Sequence, residues 1–156
     1  LGHSFPTRRS SDLPLSVAYY LDQAYRAKSV GANSACMAMY RGALDQLLHE
    51  QGYVDGMLGN KLSKLEKDIK SGVAHKWAKD LDLRYLSYLN KLGSGSIHPN
   101  DGNVEKQKEL DNELLTLVDL VFAMLLEKIY EQPKREDDWI NALEKKSRLF
   151  KHNRSK

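Results

Sequence analysis

The loop that follows Leu92 gathers the residues whose types and spacing bear most on chemistry: Gly93-Ser94-Gly95-Ser96-Ile97-His98-Pro99-Asn100-Asp101-Gly102. Successive glycine and serine amides from Gly93 to Ser96 can cradle a phosphate. The Gly-Lys-Ser/Thr ending that completes a nucleotide-binding P-loop is missing, so that signal is weak. His98, directly before Pro99, can give its ring nitrogens to backbone groups and lock the entry to the next element. Asn100-Asp101-Gly102 is turn chemistry, with Asp101 or Asn103 able to cap the helix that follows. Arg41 and Asp45 lie four residues apart, which puts them on one helix face. Two readings of this pair stay open. It is a solvated ion pair, or it reaches the His98 loop with Asp45 orienting a basic residue.

Other reactive types lack partners at useful spacing. His49 and His75 have no second ligand nearby and no His-x3-His pattern exists, so no metal and no cofactor are implied. Cys36 lies among Ala35, Met37 and Ala38, with no charge to favour a thiolate, and reads as a small apolar core residue. The tyrosines ride helices and fit core and interface positions.

The elements that must position these residues are helical throughout, since no period-2 run appears and long stretches keep the helical period. A first segment follows Pro14, capped by Ser16 and ended by Gly31. A second runs from about Ser34 to Gln51, and a third from about Asn60 to Ser71-Gly72 with Leu62, Leu65 and Ile69 inward. A fourth carries Trp77, Leu81, Tyr85, Tyr88, Leu89 and Leu92 and stops at Gly93. The fifth spans about Val104 to Glu131 and is closed by Pro133. It is apolar on nearly all sides from Leu114 to Leu126, which predicts a central helix covered by the others. Trp139, Ile140 and Leu143 predict a short amphipathic helix fading into a basic tail. The expected fold is therefore all-α, an antiparallel bundle of about five helices over residues 14–133, with 134–156 as helix and tail.

Composition narrows the function classes. The chain has 156 residues, 41% hydrophobic and 29% charged, with one cysteine. That excludes an internal disulfide framework and a multi-thiolate zinc site. The apolar run Leu114–Leu126 contains Asp119 and falls short of the roughly 20 residues that a membrane span needs. A cytoplasmic protein with no membrane partner is expected. Residues His3 to Leu13 read like the translated adapter of a short-read sequencing library, so we expect residues 1–13 to be a disordered artefact and the domain to begin at Pro14. A signal peptide is not expected, because no apolar stretch follows Arg8 and Arg9. The formal net charge is +3. The excess sits beyond Pro133, where eight Lys/Arg face only Glu136, Asp137, Asp138 and Glu144. The body is slightly acidic, which is not the usual basic surface of a nucleic-acid-binding domain.

Three features together resemble the HEPN superfamily of small helical bundles. The second helix carries Tyr40-Arg41-Gly42-Ala43-Leu44-Asp45, like an Arg-x-x-Leu-acidic signature. Leu62, Leu65 and Ile69 fit a short middle helix, and Leu92-Gly93 to His98-Pro99 fits a Leu-Gly-Asn-x-x-x-His pattern. More closely, the chain is similar to a bacterial family of unknown function within that superfamily, often appended to restriction-enzyme subunits and defence proteins. The resemblance covers about Pro14 to Tyr130. It implies a homodimer, and in catalytic members a metal-independent ribonuclease site of an Arg and a His. His98 would then move a proton at the 2′-hydroxyl or the leaving oxygen. Here Asn90 stands where an Arg is frequent, and Lys91 is the nearest basic residue, giving Lys-x6-His. Lysine lacks the planar fork of a guanidinium. The expected function is thus a non-enzymatic binding or interaction module in bacterial defence or nucleic-acid-related regulation, with RNA, a nucleotide or a fused defence protein as partner. The alternative is an endoribonuclease using His98 and Lys91.

Overall fold

Local sequence explains where each helix begins and ends. The computed structural model describes residues 13–97 and 104–150, and all regular structure among them is helical. Helix α1 (Leu15–Ser29) starts behind Pro14, whose ring presets the entry, and buries Val17, Leu21 and Ala24. Ser16 falls in its first turn, so Pro14 and not Ser16 holds the capping position. Helix α2 (Asn33–Glu50) buries Cys36, Met37, Tyr40, Ala43, Leu44, Leu47 and Leu48. Helix α3 (Leu58–Lys70) buries Leu58, Lys61 and Leu65. Its inward line is therefore rotated from the expected one, and Leu62 and Ile69 are only half-buried.

The expected fourth segment is two pieces. A single turn, α4 (Lys76–Lys79), precedes α5 (Arg84–Ile97). Asp82 starts α5 by accepting from the Arg84 amide at 3.0 Å and by gripping the Arg84 guanidinium at 2.6 Å. Two charged groups brought together by a turn make a better start signal than the apolar period revealed. Helix α5 also runs through Gly93-Ser94-Gly95-Ser96 to Ile97, so these residues are a final helical turn and not a loop.

The expected fifth segment is likewise divided. A 3₁₀ turn covers Val104–Glu109, and α6 (Asn112–Leu126) begins after it. The Leu114 amide donates to Asp111 Oδ1 at 2.9 Å, which makes Asp111 the cap of α6. Asp101 and Asn103, the expected caps, lie outside the described residues. Within unit one, α6 buries Leu115, Val118, Asp119 and Phe122 on one side. Leu117 and Leu120 are 57% and 63% exposed, so the helix is half covered and not central on every side. Pro133 does not end the chain's helical course. A π-helical turn at Glu127–Glu131 leads without a break into α7 (Gln132–Ser147), and Pro133 sits second in α7, just after the Gln132 N–H has bonded back to the Glu127 carbonyl in the widened register. The short helix expected around Trp139 is thus a full 16 residues.

The chain divides into two compact units at Ala123/Met124. In the first, α1 packs on α2, α2 on α5, and α3 against α5. Tyr40 stacks on Phe122 with ring centroids 5.1 Å apart, fixing α6 to α2. Lys28 pairs with the buried Asp119 at 3.2 Å, and Asn33 Nδ2 donates to the Leu110 carbonyl at 2.8 Å. In the second unit, Arg135 pairs with Glu127 at 2.7 Å and lies over the Trp139 ring. No helix among the described residues is long and apolar enough to cross a membrane.

Candidate functional site

Glycine permits the crossing that builds the site. A methyl group added at Gly93 would lie 2.7 Å from Arg41 Cδ and 2.9 Å from Arg41 Cγ. Only hydrogen fits there, so α5 can settle onto α2 with the Arg41 stem lying across Gly93. The Arg41 Nε–H then donates to Asn90 Oδ1 at 3.2 Å. The same device recurs at Gly42, where an added methyl would lie 2.7 Å from the Tyr20 ring of α1.

One turn along α2, Asp45 Oδ1 accepts from Lys61 Nζ at 2.8 Å. The Lys61 side chain is 6% exposed and that of Asp45 34%. Arg41 and Asp45 therefore do share a face, but they serve different neighbours. Arg41 is committed to α5 and Asp45 to α3. The Asn90 amide lies 4.0 Å from where a Gly59 side chain would begin, so α2, α3 and α5 meet along this polar seam.

Beside the seam opens a cleft of about 490 Å³, formed where the α2–α3 connection faces α3 and the start of α4. Gly52, at φ +99°, turns the chain out of α2. Gln51 braces the far wall, accepting from Trp77 Nε1 at 2.9 Å and meeting His75 Nε2 at 3.1 Å through its carbonyl. Tyr53 is buried and its hydroxyl donates to Asp68 Oδ2 at 2.8 Å. Lys64 Nζ donates to the other carboxylate oxygen at 2.9 Å. Together Lys64 and Tyr53 hold the Asp68 carboxyl below its ordinary range. Burial, aided by the Asp68 bond, pushes the Tyr53 hydroxyl up to about 12. These side chains are fixed before any ligand arrives.

The remaining expected residues are dispersed. Lys91 is exposed on α5, nearly opposite Gly93 around the helix axis. Ser94 is half-buried within the last turns of α5. Gly93 and Gly95 hold helical φ, with Ser96 Oγ donating back to the Gly93 carbonyl at 2.6 Å, so no phosphate-cradling loop forms there. Instead, Gln107 Nε2 donates to the Gly95 carbonyl at 2.9 Å. His98, Asn100 and Asp101 lie outside the described residues. Cys36 is fully buried, and burial followed by the nearby Asp119 charge pushes its thiol up to about 12, so it is no nucleophile. Among the described residues no three His, Cys, Asp or Glu side chains gather as a metal would require.

Lys61 and the cleft escaped the sequence reading. A signal existed, because Leu58, Lys61 and Leu65 share one helical line and a lysine between two inward leucines demands a partner. The tyrosine, aspartate and lysine of the cleft are spread from Tyr53 to Asp68, and only the folded turn brings them together.

Neither a curated protein nor a solved structure matches the chain. A family match spans residues 22–151, from within α1 past the end of α7. The chain belongs to the family described as Domain of unknown function (DUF4145).

Proposed function

We propose that the chain is a HEPN-like bundle that acts as a non-enzymatic binding or interaction module in bacterial defence or nucleic-acid-related regulation, working in the cytoplasm as a homodimer. The observation that supports this reading is the posture of Arg41. Its stem is pinned across Gly93 and its Nε is spent on Asn90, while the two terminal nitrogens have no partner among the described residues. A guanidinium held in this way presents its planar fork to a phosphate with little further loss of side-chain freedom. Labelled single-stranded RNA titrated into the full chain tests the reading by fluorescence polarisation. Arg41→Lys keeps the charge and loses the fork, and should weaken binding by about tenfold. Equal affinity for the variant and the parent would refute a role for this arginine.

Asn90 favours a second reading. By the resemblance, arginine is frequent at this position of the catalytic pattern, and here a guanidinium from α2 rests against the asparagine in its place. A metal-independent endoribonuclease would then use His98 as acid and base, with Arg41 or Lys91 neutralising the phosphate. Incubating the full chain with mixed single-stranded RNA in EDTA, beside His98→Ala, separates the two readings. Cleavage lost in the variant would establish the enzyme.

A further inference from the structure

The cleft beside α3 is distinct from the Arg41 seam, and its hydrogen-bonding capacity is unevenly spent. Both Asp68 oxygens already accept, one from Lys64 and one from Tyr53. The Tyr53 hydroxyl is used as the donor of that bond. Asn60 Oδ1 accepts from the Met57 amide at 3.1 Å, which leaves the Asn60 NH₂ group to donate. Lys61 and Lys64 each spend one N–H on a carboxylate, so each ammonium keeps two donors without a partner among the described residues. Lys61 carries most weight, because it is more than nine-tenths buried and lines the cleft. A buried ammonium satisfied on one side only calls for an acceptor on the other. Asp55, exposed at the rim, is the one lining carboxylate with no described partner. The unspent capacity is therefore donor-rich inside and acidic only at the mouth. The volume suits a small organic ligand.

We propose that this cleft binds the oxyanion end of a small molecule, a phosphate or a carboxylate, on the ammonium groups of Lys61 and Lys64 and the amide of Asn60. Charge-assisted bonds from two lysines supply the affinity, and the braces through Gln51 and Asp68 mean that little must move.

Inorganic phosphate and acetate, titrated separately into the full chain at constant ionic strength, test this by amide chemical-shift changes. The expected result is saturable shifts centred on Asn60, Lys61, Lys64 and Tyr53 for at least one of the two ions. The tighter ion identifies the ligand class, and a preference for either supports the site. The double variant Asp45→Asn/Lys61→Met removes the buried pair together, so neither charge is stranded, and should weaken binding by about tenfold. Lys64→Gln, at an exposed side chain, should weaken it several-fold, and Asp55→Asn should tighten it. Arg41→Lys should leave it unchanged, which separates this site from the seam. Linear, non-saturating shifts with both ions, or affinity indifferent to Lys61 and Lys64, would overturn the proposal.

Discussion

Lys61 and Asp45 show how unevenly two partners can share one ion pair. The ammonium is almost wholly buried, whereas the carboxylate keeps a third of its surface in water. Removing Asp45 strands a charge with nowhere to go, while removing Lys61 releases one that solvent can accept. Asp45→Ala should therefore destabilise the fold by about 2–4 kcal/mol, and adding Lys61→Met should restore much of that. Urea unfolding of the single and double variants measures both, and additive losses would mean that the pair is not coupled. Asp119 presents the converse case. Its carboxyl is pushed up by burial and drawn back only in part by Lys28 at 3.2 Å. Its Oδ1 has no partner among the described residues, so this buried charge is tolerated and not a source of stability.

Among the elements, α5 departs furthest from its sequence signature. Gly93-Ser94-Gly95-Ser96 has the composition of a loop, and local propensity argues for ending the helix at Gly93. Tertiary contact overrides it, because a glycine is demanded where Arg41 crosses, and Ser96 and Gln107 satisfy the carbonyls that the weak turn leaves open. The two glycines should answer oppositely to alanine. Gly93→Ala forces α5 off α2 and should cost about 1–3 kcal/mol. Gly95→Ala meets nothing within 4 Å and should be neutral or add up to about 1 kcal/mol through helix propensity. Thermal unfolding of the two variants distinguishes these signs. The helical class and the inward places of Leu65, Leu81 and Leu89 were legible from apolar spacing alone. The sense of Pro133 was not, because proline ends one helix and begins another with equal ease, and only the π-helical turn before it decides.

For the molecule as a whole, titrating groups set both limits of stability. Asp82, held down to about 2 by Arg84, and Asp68 are lowered in the fold from an ordinary 3.8. Their contribution is complete above that value and is lost as pH falls below it, for Asp82 toward about 2. Tyr53 and Cys36 are raised to about 12 from 10.0 and 9.0. Theirs is complete below the ordinary values and is lost as pH rises through 9 and 10 toward about 12. Through these four groups the melting temperature should fall at both ends, while the raised Asp119 carboxyl, which costs stability as pH rises above 3.8, opposes the acid limb. Tyr53→Phe should melt lower at neutral pH and lose less on the alkaline limb, and an unchanged limb would exclude the tyrosine as its cause. Part of this lies close in the chain, since Arg84 stands two residues from Asp82 and Lys64 four from Asp68, and the apolar setting of Cys36 was legible; the Tyr53–Asp68 bond and the Asp119 charge near Cys36 are made only by the fold.

The crossing at Gly93 has a genetic consequence. Arg41 is at once the spacer that sets how closely two helices approach and the group whose two terminal nitrogens have no partner among the described residues. On the proposed role of Arg41 in binding, random mutagenesis scored for lost binding would return Arg41 and Gly93 together with unstable proteins, and the two phenotypes would look inseparable. A separation-of-function allele should be sought at Asn90, which aims the guanidinium without carrying the weight of the crossing. A change there would leave a protein that accumulates normally in the cell yet has lost the bearing of its arginine.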